Sequence, residues 1–316
     1  MTGVTGRQAS IIGAGLIGRS WAIIFAAAGW DVRITDTNES VLAALPGLIR
    51  HNLEELAQHG LVDDVDATAG RIVAVPDLAE AVAGSSFIQE CGPETLAFKQ
   101  EIFGILDALV SKDTIIASSS SSIYPSLYTE FLSGRHRCLL GHPVNPPHLV
   151  PLVELCGAPW TSPDILARAR EIYASIGQVP VTLGKEIEGF ALNRLQGALL
   201  TEALRLVGEG VISAGDLDQT VKNGLGLRWS FMGPFETIEL NAPGGIADYC
   251  ARYGEFYRRI SATPAPPEVW DEPNLERVLK SWGTPPDPDT RRERGAWRDN
   301  QLAALRAYRR NQMQGG

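Results

Sequence analysis

A chain of 316 residues is long enough for two domains at about 100–200 residues each, so a single small module is excluded. With 44% hydrophobic and 21% charged residues it reads as an ordinary globular protein rather than a disordered or fibrous one. The formal net charge of −9 argues against a nucleic-acid partner, because neutralising phosphates requires a basic surface.

The first element is an apolar strand ending at Ile11-Ile12, followed by Gly13-Ala14-Gly15-Leu16-Ile17-Gly18 and an alanine-rich helix that Gly29 stops. Asp31 to Asp36 alternates in polarity and ends on a carboxylate, as the second strand of a βαβ unit would. Further strands are expected at 71–75, 86–89, 114–117, 138–141 and 179–182, with helical segments between several of them. This alternation predicts an α/β Rossmann-type doubly wound sheet, parallel and covered on both faces. Beyond Glu188 the pattern turns to amphipathic helices at 189–208, 216–222 and 235–241, which predicts a smaller all-α domain. The boundary is placed there, giving 1–188 as the dinucleotide-binding domain and 189–316 as the helical one. Gly208 and Gly210 are expected to stop the first of these helices, and Asp216 with Gln219 to cap the second. Proline-rich 262–288 reads as loop, and 291–314 as an arginine-rich helix with a solvated face.

No stretch approaches the roughly 20 apolar residues of a membrane span, and residues 1–10 lack the apolar centre of a secretory signal, so a cytoplasmic protein is expected. The four cysteines form no CxxC pair and sit among apolar neighbours, which predicts buried, reduced thiols. The histidines show no metal-ligand spacing, and no structural metal is expected.

A GxGxxG motif alone is weak, but here it follows a strand, opens a helix and precedes a carboxylate at the next strand's end. Gly13 permits the tight turn, Gly15 lets the backbone approach a pyrophosphate, and Gly18 lets helix and strand pack closely. Asp36 can accept both adenine-ribose hydroxyls and would repel a 2′-phosphate, so NAD is favoured over NADP. The serines 118–122 follow an apolar strand and therefore lie at the carboxyl edge of the sheet, where ligands bind. Twenty residues on, a strand delivers His142, and Glu154 lies inside the apolar stretch Pro151-Leu152-Val153-Glu154-Leu155. A buried glutamate needs a partner, and an imidazole beside it would be held in one tautomer as a general base, unless His142 is merely a core histidine bonded to backbone. Asn193 is a polar residue on a largely apolar helix face.

Together these residues resemble the 3-hydroxyacyl-CoA dehydrogenase family, and within it the lambda-crystallin or L-gulonate 3-dehydrogenase branch. The likeness extends through Gly15 to Ala22, the serine run, His142 to Pro147, Pro151 to Leu155, Gly224-Leu225-Gly226 and Trp297-Arg298-Asp299. The resemblance implies that His142 is the general base, Glu154 its partner, and Ser121 and Asn193 the groups that hold the reacting oxygen. It further implies that Leu16 and Ile17 contact the pyrophosphate and that Glu94 and Lys99 lie on the nicotinamide side. Where acyl-CoA enzymes usually carry Asn and Thr, this chain carries serine, which leaves open which of the five serines works.

The acidic residues Glu54, Glu55, Asp63, Asp64 and Asp66, with no Lys or Arg between 51 and 70, would repel the phosphates of a CoA thioester. A small free hydroxy acid is therefore expected as substrate, L-gulonate by resemblance, with an acyl-CoA as the alternative and a non-catalytic crystallin-like or dinucleotide-sensing role as another. The helices after Glu188 are more apolar than one small domain can hide, which predicts a homodimer through 189–316.

Overall fold

The computed structural model describes residues 7–314. In chain order the first part contains β1 (Gln8–Ile12), α1 (Leu16–Ala27), β2 (Asp31–Thr35), α2 (Glu39–Gln58), α3 (Val65–Ala69), β3 (Ile72–Ala74), α4 (Leu78–Val82) and β4 (Phe87–Glu90). It continues with α5 (Leu96–Leu109), β5 (Ile115–Ser118), α6 (Pro125–Thr129), β6 (Cys138–Pro143), β7 (Leu152–Gly157), α7 (Pro163–Ser175) and β8 (Val179–Thr182). The helical part is α8 (Leu192–Gly208), α9 (Ala214–Thr220), a π turn at Val221–Leu225, α10 (Gly226–Trp229), α11 (Pro234–Leu240), α12 (Gly245–Ser261), α13 (Glu272–Trp282) and α14 (Pro288–Gln314).

The eight strands form one sheet in the order β3-β2-β1-β4-β5-β6-β7-β8, the doubly wound arrangement expected. Trp21, Phe25, Phe87, Leu155 and Tyr173 belong to one buried cluster, and Ile88, Phe103, Leu106, Ile116 and Tyr128 to another. Strand order reverses between β1 and β4, so the switch-point crevice opens beyond Ile12 and Glu90.

The expected all-parallel pairing fails at one place: β7 runs antiparallel to β6, then pairs parallel with β8. The connection 144–151 is too short for a parallel crossover, which needs about a dozen residues or more, so the chain must turn back as a hairpin. That reversal sets His142 directly opposite Glu154.

The chain separates into two compact units, one running to Leu192 and regaining Gly295 onward, the other Asn193–Arg294. The second unit therefore does not extend to residue 316 as the sequence pattern suggests. The last helix carries residues of both units, and its Leu302 and Ala303 join the core of the first.

Other expectations need correction. The proline-rich 262–288 segment is not all loop: Asp271-Glu272-Pro273 starts α13, in which buried Asn274 donates to the carbonyls of Leu204 and Val269 at 3.1 and 2.8 Å. The second helix of the α unit is capped by Ser213, whose hydroxyl accepts from the Asp216 amide at 3.0 Å, rather than by Asp216. Gly210 does adopt φ +73° after α8, as a helix stop should. The cysteines are free, but only Cys138 and Cys156 are fully buried; Cys91 is half-buried and Cys250, on the solvent side of α12, is exposed. No helix among the described residues is long and apolar enough to cross a membrane, and none of their His, Cys, Asp and Glu side chains form a group of three fit for a metal ion.

Candidate active site

The glycine turn is built for close approach. Gly13 has φ +98°, and a Cβ there would sit 2.8 Å from the Cys91 carbonyl oxygen beyond β4. A Cβ on Gly18 would fall 1.8 Å from the Gly13 carbonyl oxygen, so only glycine lets α1 lie against the turn. Gly15 is the N-cap of α1 with open space around its Cα, leaving Leu16 45% exposed and Ile17 half-buried at the helix N-terminus. Asp36 follows β2 and is fixed within the same turn: its Oδ2 accepts from the Ala14 amide at 2.8 Å and its Oδ1 from the Asn38 amide at 2.9 Å. An open helix N-terminus with a carboxylate held beside it at the switch point fits a pyrophosphate and an adenine ribose.

His142 and Glu154 form the expected pair, with Nδ1 2.8 Å from Oε2, and both are buried, at 6% and 1% exposure. Glu154 is further held by an anion cradle invisible to residue-type reasoning. Gly189 and Phe190 adopt φ +75° and +50°, and this left-handed turn aims the amides of Ala191 and Leu192 at Glu154 Oε1, at 2.8 and 2.9 Å. Burial pushes the Glu154 carboxyl up, but hydrogen bonds from His142 and from the two amides outweigh it, and it ionises below the usual range. An ionised acceptor requires the hydrogen of His142 to sit on Nδ1. Nε2 then carries the lone pair, the arrangement a general base needs. The imidazole is steadied by Phe190, whose ring centroid lies 5.5 Å away.

The serines divide sharply by position. Ser118 donates to Glu90 Oε2 at 2.7 Å, Ser119 accepts from Trp21 and Gln89, and the buried Ser120 donates to Glu94 at 2.7 Å. Ser121 and Ser122 are exposed at the loop tip. Glu94 Oε1 gathers this loop, accepting from the amides of Ser121 and Ser122 at 2.9 Å each and from the Ser122 hydroxyl at 3.0 Å. Burial raises the Glu94 carboxyl, and these serine donors more than offset it, leaving its ionisation below the usual range.

Lys99 lies inside the protein. It is 1% exposed, with Nζ 2.8 Å from both oxygens of the fully buried Glu90 and 3.3 Å from the Gly92 carbonyl oxygen. A buried carboxylate demands a charged partner, so the ammonium is spent inside the protein and stands behind the Gly92 backbone instead of at the surface. Glu90 was the missed signal, a carboxylate closing the apolar Phe87-Ile88 strand just as Glu154 sits in Val153-Glu154-Leu155. Asn193 lies in the first turn of α8, exposed, and opens the second unit one residue after the Leu192 amide.

Sheet, glycine turn and buried histidine–glutamate pair define a nicotinamide-dependent dehydrogenase, and the chain belongs to the 3-hydroxyacyl-CoA dehydrogenase family. The family's NAD-binding domain matches residues 8–187 and its C-terminal domain residues 189–279. The lambda-crystallin homolog of Rattus norvegicus is 41% identical over 300 residues, 93% of this chain and 94% of the relative. The L-carnitine dehydrogenase of Pseudomonas putida is 36% identical over 262 residues, covering 83% of this chain and 81% of the relative. Among solved structures, an NAD+-dependent dismutase described as FHMPC 5-dehydrogenase superposes with a TM-score of 0.82 at 27% identity, over 96% of this chain and 98% of that one. The protein is thus an NAD-dependent oxidoreductase of this family.

Proposed function

We propose that the chain oxidises the 3-hydroxyl of a small free hydroxy acid, with L-gulonate to 3-dehydro-L-gulonate as the specific reaction. The observation that carries the reading is the His142–Glu154 pair, a buried base with its proton already committed to Nδ1. When bound, NAD supplies the hydride acceptor. His142 Nε2 takes the hydroxyl proton as the carbinol carbon is oxidised, and Glu154 stabilises the imidazolium that results. Ser121 and Asn193 hydrogen-bond the reacting oxygen and align it, which works by positioning and charge stabilisation. Leu16, Ile17 and Asp36 hold the cofactor's pyrophosphate and ribose, and Glu94 sets the serine loop beside it.

A free acid is favoured over a thioester by the acidic run on α2 and α3. Arg50 bridges Glu54 and Asp66, but Glu55, Asp63 and Asp64 keep the region negative. The carnitine dehydrogenase relative supports the same preference, since carnitine carries an unesterified carboxylate. A non-catalytic or sensing role would have no use for the buried base. The reading also includes a cytoplasmic homodimer formed through the helical part, supported by exposed Leu195, Phe231, Phe235 and Leu240.

Oxidising a free 3-hydroxy acid places a ketone β to a carboxylate, and such acids lose CO2 as the departing electrons enter an enolate; L-gulonate would end as L-xylulose. The test supplies L-gulonate, L-carnitine, L-3-hydroxybutyrate and L-3-hydroxybutyryl-CoA with NAD, following absorbance at 340 nm, CO2 and pentulose. Gulonate is expected to give the highest kcat/KM. A preference for the thioester of about tenfold or more, or inert gulonate, overturns the free-acid reading.

A further inference from the structure

The hairpin connection 144–151 joins the two strands that carry His142 and Glu154, and it is gripped from two sides. His148, buried in its middle, places Nδ1 2.8 Å from Ser20 Oγ on α1. The Ser20 hydroxyl donates to the Leu16 carbonyl at 2.9 Å, so the imidazole must be the donor in the other contact. His148 is thereby a neutral Nδ1–H tautomer, with Nε2 3.5 Å from Asn52 Nδ2 on α2. One histidine thus ties the loop to α1, the helix that opens at the glycine turn.

The second grip comes from α14. Arg306 donates through Nη1 to the His148 carbonyl and through Nη2 to the Gly177 carbonyl at 3.3 Å. These carbonyls belong to the connections that lead into β7 and β8, which start in register at Leu152 and Val179. The guanidinium fork therefore clamps together the beginnings of two neighbouring strands, the first of which reaches Glu154 two residues later. Burial and the nearby Arg310 hold the Arg306 guanidinium down to about 10, a real cost for a group whose hydrogen bonds go to uncharged carbonyls. An apolar side chain would bury α14 more cheaply; only a planar fork fixes two carbonyls at a set spacing.

We infer that Arg306 is a positioning residue for the His142–Glu154 pair, acting through the His148 carbonyl to hold the hairpin that carries both groups. It touches neither substrate nor cofactor, and the inference rests on the proposed role of the pair. Residue 306 lies beyond the part of the chain, ending at 279, that the two family domains match.

The experiment compares full-length Arg306→Met, Arg306→Lys and Arg306→Ala with the wild type and His142→Gln, using NAD and whichever hydroxy acid the wild type oxidises. Arg306→Met is expected to lower kcat about tenfold, because a displaced base is a positioning loss, with the KM for NAD within about twofold of wild type. Arg306→Lys, which keeps the charge but not the fork, should lose about threefold. Millimolar guanidinium chloride should restore part of the rate of Arg306→Ala, and equal sodium chloride should not. Wild-type kcat in Arg306→Lys and Arg306→Met overturns the inference, as does a parallel loss of kcat, NAD affinity and melting temperature without rescue. If Arg306→Met fails to fold, Arg306→Lys decides alone. A silent Arg306→Met beside an inactive His142→Gln overturns only this inference, whereas an active His142→Gln overturns the pair's role and the inference with it.

Discussion

The two units handle their apolar residues in opposite ways. In the first, the sheet buries Ile11, Phe25, Phe87, Ile116 and Leu155 completely, and even its charged groups Glu90, Lys99 and Glu154 are inside and paired. In the second, α12 has no buried residue, while Phe235 and Leu240 on α11 are 71% and 73% exposed. A single protomer leaves that surface in water at a cost of about 25 cal/mol per Å2 of apolar area. The first unit holds the histidine–glutamate pair and the glycine turn, and the second holds the exposed apolar surface, which is the physical basis for proposing that a second copy covers it.

The strongest test of this division removes chemistry from the first unit alone. His142→Gln should lower kcat by at least about 100-fold while NAD binding, measured by fluorescence titration, and the sedimentation coefficient stay as in wild type. A change in association would mean that the two units are not separable in this way. The converse substitution, Phe235→Asp with Leu240→Asp, should convert the protein to a monomer at micromolar concentration in sedimentation velocity, since two charges at a desolvated interface are costly. A wild type that already sediments as a monomer removes the contrast altogether.

A smaller effect is expected in acid. Burial holds His148 down at about 4, well below its ordinary 6.5, with Asp299 opposing and Arg306 and Arg19 reinforcing the shift. The unfolded chain therefore takes up a proton between pH 6.5 and 4 that the folded one refuses. The resulting stability is fully present above 6.5 and lost as pH falls towards 4, amounting to about 3 kcal/mol at most. Replacing His148 by Gln should flatten the fall in melting temperature over that range, and an unchanged slope would assign the acid lability elsewhere.

The sheet, the glycine turn and the histidine–glutamate pair were legible because each leaves a local trace: strand periodicity, Gly13 and Gly15 spacing, a carboxylate where only apolar residues belong. The reversal at β7 was not, since direction depends on the length of the connection between strands and not on the pattern within them. The cradle at Ala191 and Leu192 is made of backbone, which residue identity does not encode, and Phe190 gives no sign that it will adopt φ +50°. The buried setting of Lys99 left no trace for a different reason. Its partner Glu90 is nine residues earlier in sequence and meets it only when α5 folds back over the end of β4.

That the last helix rejoins the first unit has a consequence for how the polypeptide is made. The stretch from residue 295 onward is synthesised after the sheet and after the helical unit, yet Leu302 and Ala303 join a core built from the strands of the sheet together with α1, α2 and α7. The sheet can assemble during translation, but the carbonyls of His148 and Gly60 that await Arg306 and Arg310 stay without those partners until α14 has been made. The helical unit is in effect an insertion within the nucleotide-binding one, and a nascent chain stalled anywhere inside it would present an unfinished enzyme to chaperones and proteases.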